Sequence, residues 1–222
     1  MKLGNDSVKV KFVYIDIPSI ADTSVVSSLR ELFGNIRVAH FNGWQRVAYF
    51  RSLTHEELSG YRCIGGHINY EAFLQKVGPR PLYFSILRDP IDRYLSYYSQ
   101  VCHQQSHHLH NNAKAISSVE FFRDSISRKY IFPQTLYISR NNSLVSALKL
   151  IREGKIIVQP LENYDKLLQF IALKAGKEPT ILPRKNKFKR DLPADFDELE
   201  PLIREFFKDD FTLFDYVNSA EF

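Results

Sequence analysis

The stretch 82-LYFSILRDPIDRYLSYYSQ-100 decides the fold of this chain of 222 residues. Its first half, Leu82 to Leu87, is apolar except for one serine, which is typical of a strand buried on both faces of a parallel sheet. Asp89 suits a helix N-cap and Pro90 suits the first helical position, so this central strand leads directly into a helix. Arg88 then lies at the carboxyl end of the strand, the edge at which open α/β sheets bind ligands.

The helix after Pro90 has one apolar stripe and one polar flank. Its apolar residues follow helical spacing at Ile91, Tyr94, Leu95, Tyr98 and Val101. Ser96 lies on the flank, where its hydroxyl is free to bond. An arginine fork and a hydroxyl beside a sheet edge can together bind a phosphate. The alternative is that Arg88 pairs with Asp92 or caps a neighbouring helix, with Ser96 merely exposed.

The sequence pattern R-D-P-x-x-R-x-x-S after an apolar strand resembles the 3′-phosphate-binding segment of the carbohydrate sulfotransferases. These enzymes use 3′-phosphoadenosine 5′-phosphosulfate, PAPS. The resemblance implies that Arg88 and Ser96 hold the 3′-phosphate. It also implies an α/β, P-loop-like sulfotransferase fold, with a central parallel sheet flanked by helices in a single domain over residues 1–222.

A second segment near the N-terminus has the layout of a phosphate-binding loop. Residues 8–16 predict the first strand, and Thr23 to Phe33 predict a helix, with a loop between them whose amides can face an anion. The Walker pattern G-x-x-x-x-G-K-[ST] is absent. The loop instead resembles the sulfotransferase 5′-phosphosulfate loop, P-K-T-x-x-T-S. That resemblance assigns donor binding to Pro18, Ser19, Ile20, Ala21, Asp22, Thr23 and Ser24.

This loop departs from the family pattern at three positions. Ser19 stands where the family has lysine, Ile20 where it has threonine, and Asp22 where it has a small residue. The family lysine steadies charge on the leaving phosphate, and losing such a contact commonly costs about 10²–10³ in rate. Asp22 can also cap the helix and occupy the amides that a phosphate would need. An altered but active loop and a filled, inactive one are both compatible with the sequence.

A third segment, Gly66 to Tyr70, follows the predicted strand Tyr61 to Gly65. A histidine directly after a strand lies at the same sheet edge as Arg88. G-H-[IV]-[SN]-Y before the R-D-P strand resembles heparan sulfate 2-O-sulfotransferase and the related uronyl enzyme. The resemblance implies that His67 is the general base on the acceptor hydroxyl, and an ordinary histidine pKa of about 6.5 suits that role. Where those enzymes have a second histidine two residues earlier, this chain has Gly65.

Four histidines occur within residues 103–110. His103 and His107 could share a helix face and bind a metal, but no acidic or cysteine ligand accompanies them. An exposed loop on the acceptor side is the preferred interpretation, and no metal cofactor is predicted.

The remaining segments complete the predicted α/β pattern. Strands are predicted at residues 35–40 and 154–160, a loop with a short helix at 41–59, a buried linker at 129–140 and two helices at the C-terminus. PRKNKFKR, residues 183–190, is either a solvated basic loop or the family loop that closes over the nucleotide. The second interpretation makes Asn186 and Lys187 nucleotide contacts.

Composition sets broad limits. The chain is 44% hydrophobic and 25% charged, as in ordinary globular proteins, and no apolar run is long enough to span a membrane. The N-terminus lacks the apolar core of a signal peptide, and two cysteines do not indicate a disulfide framework. A cytoplasmic location is predicted, with a Golgi-luminal catalytic fragment of a longer chain as the alternative. The net charge of +5 is compatible with an anionic nucleotide; no nucleic-acid partner is predicted, and no oligomeric state.

The resemblance therefore predicts transfer of a sulfonate group from PAPS to a hydroxyl acceptor, a saccharide in the preferred version. It implies in-line displacement without a metal ion, with 3′,5′-ADP (PAP) as the product nucleotide. The alternative is a protein of the same fold that has lost catalysis and only binds a nucleotide, a glycan or a protein. A nucleoside triphosphate kinase or hydrolase is a poor third interpretation, because the lysine and glycine pattern of such enzymes is absent.

Overall fold

The computed structural model describes residues 10–20, 22–178 and 192–220, and within them five strands form one parallel sheet. The sheet order is β2-β3-β1-β4-β5. The strands are β1 (Phe12–Ile15), β2 (Val38–Phe41), β3 (Cys63–Gly66), β4 (Leu82–Leu87) and β5 (Ile157–Pro160). All strand pairs run parallel, which confirms the predicted α/β class.

Helices connect the strands and cover the sheet. Before β4 these are α1 (Asp22–Phe33), α2 (Gly43–Ser52), α3 (His55–Ser59) and α4 (Tyr70–Val77). After β4 come α5 (Pro90–His103), α6 (His110–Ala115), α7 (Ser118–Ser127), α8 (Thr135–Ile138), α9 (Leu144–Arg152), α10 (Tyr164–Lys174), α11 (Phe196–Phe206) and α12 (Lys208–Ser219). None of the described helices is both long and apolar enough to cross a membrane.

The strand-to-helix passage from β4 to α5 agrees closely with the prediction. All of β4 after its first residue is buried, as expected for a strand covered on both faces. The Asp89 side chain accepts the N–H of Asp92 at 2.9 Å, which is an N-cap bond, and Pro90 occupies the first helical turn. The end of β4 at Arg88 and the start of α5 therefore follow from local sequence signals.

The middle strand is β1 rather than β4. Its four residues FVYI are all buried, because β3 and β4 flank it and helices cover both faces. The strand is shorter than the predicted segment 8–16, of which residues 8 and 9 lie outside the described part. β4 has β1 on one side and β5 on the other, so it is interior without being central.

The sheet order creates a switch point between β1 and β4. The chain leaves β1 through α1 toward β2 on one side, whereas it leaves β4 toward β5 on the other side. Connections that diverge from two adjacent parallel strands leave a crevice at their carboxyl ends, and ligands of α/β proteins bind there. The loop after β1 and Arg88 after β4 border this crevice.

A second apolar cluster lies among helices beyond the sheet. It contains buried residues of α5, α7 and α11, together with Ile131 and with Phe207 between α11 and α12: Tyr94, Val119, Phe122, Ile131, Leu199, Ile203 and Phe207. The predicted C-terminal helices are confirmed as α11 and α12. Burial of one face of α11 in this cluster attaches the C-terminal part of the chain to α5, the helix that begins at the sheet edge.

Two segments differ from their predictions. Residues 35–40 were expected to be a strand, but the first three form a short 3-10 turn and the strand covers Val38–Phe41. Residues 41–59 hold two helices, of which α2 has ten residues with only Phe50 buried. Because α2 has almost no apolar stripe, the periodicity of its sequence did not indicate a helix.

Candidate active site

Two arginines hold the loop between β1 and α1 from one side. Arg93 Nε donates to the carbonyl of Pro18 at 3.0 Å, and Arg88 Nη1 donates to the carbonyl of Ser19 at 3.3 Å. In a trans peptide the N–H points opposite to the C=O, so the N–H groups of Ser19 and Ile20 point away from both arginines. Within the described residues neither N–H has an acceptor. Adjacent amide donors of this kind bind anions.

The rest of the predicted donor loop is only partly described. Ser19 has a φ of 69°, the left-handed region that a residue other than glycine occupies at a cost of about 1–2 kcal/mol. Ile20 and Ser24 are buried. Ala21 and the side chains of Asp22 and Thr23 lie outside the described part, so the predicted capping by Asp22 stays a prediction.

Arg88 is the best-supported of the predicted anion ligands. Its side chain is 9% exposed, and its Nε lies 3.9 Å from Asp92 Oδ2, which is too far for a hydrogen bond. That Nε is buried and has no hydrogen-bond partner among the described residues. A buried guanidinium donor without an acceptor is costly, and an anionic ligand at the crevice would satisfy it.

Ser96 lies on α5, two turns beyond Arg88. Its side chain is half-buried, and its hydroxyl makes no hydrogen bond to any residue in the described ranges. The structure therefore leaves the hydroxyl available, as expected for a residue on the flank of the helix.

A buried polar network fixes the backbone of Arg88. The Gln134 side chain accepts the Arg88 N–H at 3.0 Å and donates to the Arg88 carbonyl at 2.8 Å. Asp210 of α12 accepts the N–H groups of Gln134 at 2.6 Å and Thr135 at 2.8 Å, and the Thr135 hydroxyl at 2.5 Å. Arg93 adds a bond to the Phe132 carbonyl at 2.8 Å. The C-terminal helix thus positions the sheet edge.

His67 lies at the same edge, directly after β3. Its N–H donates to the carbonyl of Phe41 in β2 at 3.1 Å. That carbonyl fills the space beside Gly66, where an added Cβ would stand only 2.2 Å from the oxygen. Glycine at position 66 therefore allows the close approach of β2 that fixes the backbone of His67.

The neighbours of His67 were not predicted from the sequence. Asp16, immediately after β1, is fully buried, and its Oδ2 lies 3.4 Å from His67 Nε2 and 2.6 Å from His40 Nε2. Burial alone would raise the pKa of Asp16, but bonds and positive charge from the two histidines outweigh it, so the pKa lies below its usual value. Where the resemblance led us to compare Gly65 with a second histidine, a Cβ would stand 3.0 Å from Tyr14 atoms. The structure supplies the second imidazole from β2.

A polar cleft of about 580 Å³ opens beside this cluster, and His40 forms part of its wall. Arg30 and Glu31 of α1 and Arg46 of α2 also line it. Neither guanidinium has a carboxylate partner in the described ranges. The cleft is therefore polar and offers two unpaired cations close to the histidines.

The four histidines of residues 103–110 make local contacts. His103 Nδ1 lies 2.7 Å from the Ser99 carbonyl, and His110 Nδ1 lies 3.1 Å from the Val101 carbonyl. His107 and His108 stack on each other with ring centroids 4.7 Å apart. No cluster of three or more potential metal ligands is found in the part of the chain that the structure describes.

Asn186 and Lys187 lie outside the described residues. Their predicted contact with a nucleotide stays a prediction.

Comparison with known proteins identifies the family. The family model described as "Sulfotransferase family" matches residues 11–179, which is three quarters of the chain and includes all the site residues named so far except Asn186, Lys187 and Asp210. The chain belongs to the sulfotransferase family. A solved sulfotransferase from Alicyclobacillus acidocaldarius has the same fold, with a TM-score of 0.54 at 14% identity over 93% of this chain and 96% of that chain. A comparison with curated protein sequences gives no significant match.

As a sulfotransferase, the chain is expected to use a sulfonate donor and a hydroxyl acceptor. Its loop lacks the lysine of the predicted P-K-T pattern, and Arg88 is the described cation that contacts the backbone at that position, Ser19. Of the arginines in residues 41–59, Arg46 lines the cleft beside His40, whereas the Arg51 carbonyl accepts a bond from Lys76. Of the described cations, Arg88 and Arg93 bond to the backbone of the loop, and Arg46 lines the cleft beside His40.

Proposed function

We propose that this sulfotransferase moves a sulfonate group from PAPS to a hydroxyl of a saccharide. The bond between the sulfur and the bridging phosphate oxygen breaks, while a bond forms between the sulfur and the acceptor oxygen. His67 takes the acceptor proton, and PAP leaves. Displacement of this kind needs the acceptor oxygen, the sulfur and the bridging oxygen in line, with the base within reach of the acceptor hydroxyl.

The observation that carries the proposal is the convergence of three strand ends at one crevice. The loop after β1 offers two amide donors that have no acceptor among the described residues, and Arg88 after β4 offers a buried Nε that has none there either. His67 follows β3. Because β1 lies between β3 and β4, anion donors and a candidate base occupy adjacent positions. The loop amides would hold the 5′-phosphosulfate end, and Arg88 with Ser96 would hold the 3′-phosphate.

The polar cleft supports a saccharide acceptor. Sugar hydroxyls need many hydrogen-bond partners, and the cleft contains Asn35, Asn42 and Ser27 besides its charged residues. Trp44, between Asn42 and Arg46 in the chain, is 79% exposed and can pack against a sugar ring. An acceptor in this cleft would contact His40, which lines the cleft and shares Asp16 with His67.

Binding of PAP should stabilise the fold more than binding of ATP. At one hundred times its dissociation constant a ligand adds about 2.7 kcal/mol, which should raise the melting temperature of a chain of this size by roughly 5–10 °C. ATP lacks the 3′-phosphate that Arg88 would bind, so its shift should be much smaller. Differential scanning fluorimetry with both nucleotides measures this difference.

Arg88→Gln should remove most of the PAP shift. The matched control is Arg80→Gln, which changes an exposed arginine just before β4 and should leave the shift intact. Equal shifts of the melting temperature with ATP and PAP, or an unchanged shift with PAP in Arg88→Gln, would show that Arg88 does not bind a 3′-phosphate.

A second candidate function is nucleotide or glycan binding without catalysis. The observation that favours it is the loop sequence, which has Ser19 in place of the family lysine and a carboxylate at Asp22. Two charges about 4 Å apart interact by roughly 4 kcal/mol at an effective dielectric of 20, so one carboxylate at the anion site can outweigh several hydrogen bonds.

The double substitution Ser19→Lys with Asp22→Gly separates the two candidates. In an inactive protein it should tighten PAP binding tenfold or more, equivalent to about 1.4 kcal/mol, because it removes repulsion and restores a cation. In an active enzyme that uses a relocated cation it should help little or reduce transfer, because two cations would crowd one sulfonate. Isothermal titration calorimetry gives the affinity. If the parent protein shows no sulfonate transfer and the double variant binds PAP much more tightly, the protein is the inactive one.

A further inference from the structure

The Asp16 carboxylate is shared by two histidines at the carboxyl edge of the sheet. His40 Nε2 lies 2.6 Å from Asp16 Oδ2 and shares a hydrogen bond with it. His67 Nε2 lies 3.4 Å from the same oxygen, which is within ion-pair distance but without hydrogen-bond geometry. The two imidazole rings stand nearly perpendicular, at 88°, with centroids 6.1 Å apart. Asp16 is fully buried, so the contacts lie in a region of low dielectric where they are strong.

The charge of Asp16 determines which imidazole nitrogen carries a proton. Its lowered pKa keeps the carboxylate ionised, and an ionised carboxylate only accepts hydrogen bonds. His40 Nε2 therefore donates to Asp16, and the buried Nε2 of His67, which has no hydrogen-bond partner among the described residues, meets the carboxylate best with a proton on it. A neutral imidazole has one protonated nitrogen, so with Nε2–H turned toward Asp16 the Nδ1 of the same ring is unprotonated and can accept a proton.

His67 and His40 differ in how open they are. The His67 side chain is 23% exposed although its Nε2 is shielded from solvent, whereas the His40 side chain is only 9% exposed and makes the shorter bond to Asp16. The exposed part of His67 therefore belongs to the rest of the ring, which includes Nδ1. His67 is arranged to exchange a proton, and His40 is arranged to hold the carboxylate.

We infer that Asp16 is a positioning residue that fixes His67 with Nδ1 as its basic nitrogen, and that His40 is a second positioning residue that orients Asp16. The catalytic meaning of this inference depends on the proposed function, but the proton positions do not. When His67 Nδ1 takes a proton from the acceptor hydroxyl, the ring becomes a cation beside an ionised carboxylate. Asp16 Oδ1 is buried without a hydrogen-bond partner, so acceptor capacity for that cation is present.

One further titratable group contributes to the environment of Asp16. Burial raises the pKa of Tyr137 in α8, and the negative charge of Asp16 raises it further, so the phenol stays neutral. The charged Arg93 acts on Tyr137 in the opposite direction.

The proton positions can be measured without any substrate. Long-range ¹H–¹⁵N correlation spectra of the full chain above pH 8 distinguish protonated from bare imidazole nitrogens, and spectra of His67→Ala and His40→Gln assign the signals. We expect a proton on Nε2 and a bare Nδ1 in His67. In Asp16→Asn we expect the His67 signals to shift toward a mixture of both tautomers. A proton on Nδ1 of His67 in the parent, or identical tautomers in Asp16→Asn, overturns the inference.

Kinetic measurements distinguish a role in positioning His67 from a purely structural role. Asp16→Asn should lower kcat about 10²–10⁴-fold, as loss of a base or its orienting carboxylate does, while the affinity for PAP changes by less than about threefold. His40→Gln keeps a donor for Asp16 and should retain most activity, whereas His40→Leu should not. His55→Gln, at an exposed histidine, is the control. An unchanged kcat in a folded Asp16→Asn variant refutes the positioning role. If the parent protein has the expected tautomer of His67, with the proton on Nε2, but does not bind PAP, the proposed function is refuted instead.

Discussion

Replacing His67 with alanine should lower sulfonate transfer about 10²–10⁴-fold while the affinity for PAP stays within about threefold. The rate falls because the more exposed of the two imidazoles beside Asp16 is removed from the edge where the anion donors lie. The affinity is retained because the loop amides and Arg88 belong to other strand ends. Transfer of labelled sulfate and calorimetric titration with PAP measure the two quantities separately.

The histidines of residues 103–110 provide the comparison for this result. α5 rises about 1.5 Å per residue, so His103 at its end lies about 20 Å from the sheet edge at Asp89. His103→Ala should therefore leave transfer near the parent rate. If His67→Ala retains activity within a few-fold, the base lies elsewhere, and His40 would be the next residue to test because it shares Asp16.

Replacing Asp210 with alanine should lower the free energy of unfolding by about 3–5 kcal/mol, the usual cost of removing one member of a buried charged network. The change leaves the N–H groups of Gln134 and Thr135 without their acceptor and removes the charge that faces Arg93. Burial raises the pKa of Asp210, although its hydrogen bonds and Arg93 act in the opposite direction. Urea unfolding followed by circular dichroism measures the loss.

Asp215→Ala is the matched control, because it changes an exposed aspartate in the same helix. It should alter the free energy of unfolding by less than about 0.5 kcal/mol. Because Gln134 holds both backbone polar groups of Arg88, Asp210→Ala should also weaken PAP binding in whatever fraction stays folded. Equal stability of the two variants would show that the network contributes little.

Local signals were sufficient to predict one side of the site. An apolar run, an N-cap aspartate and a following proline placed Arg88 at the end of β4 without any long-range information. Likewise, the position of His67 followed from its place after a short apolar strand, and the structure confirms that place. These residues could be located because each depends on its own chain neighbours.

The other side of the site depends on contacts that no local pattern indicates. Asp16 and His40 are 24 residues apart and meet through the order of the sheet, which the sequence did not predict. Arg93 was overlooked because an arginine in a helix is usually exposed, whereas here it is 3% exposed and bonded to two carbonyls. The two C-terminal helices were predicted, but no role was predicted for the buried Asp210. Its role requires a partner 75 residues away.

The close approach at Gly66 restricts how this site can evolve. Any side chain there would have to displace the Phe41 carbonyl, and that same carbonyl accepts the N–H of His67. A mutation at position 66 would therefore move the imidazole of His67 even in a variant that still folds. Descendants of this chain can adjust the donor loop or the cleft one residue at a time, but position 66 can change only together with the path of β2.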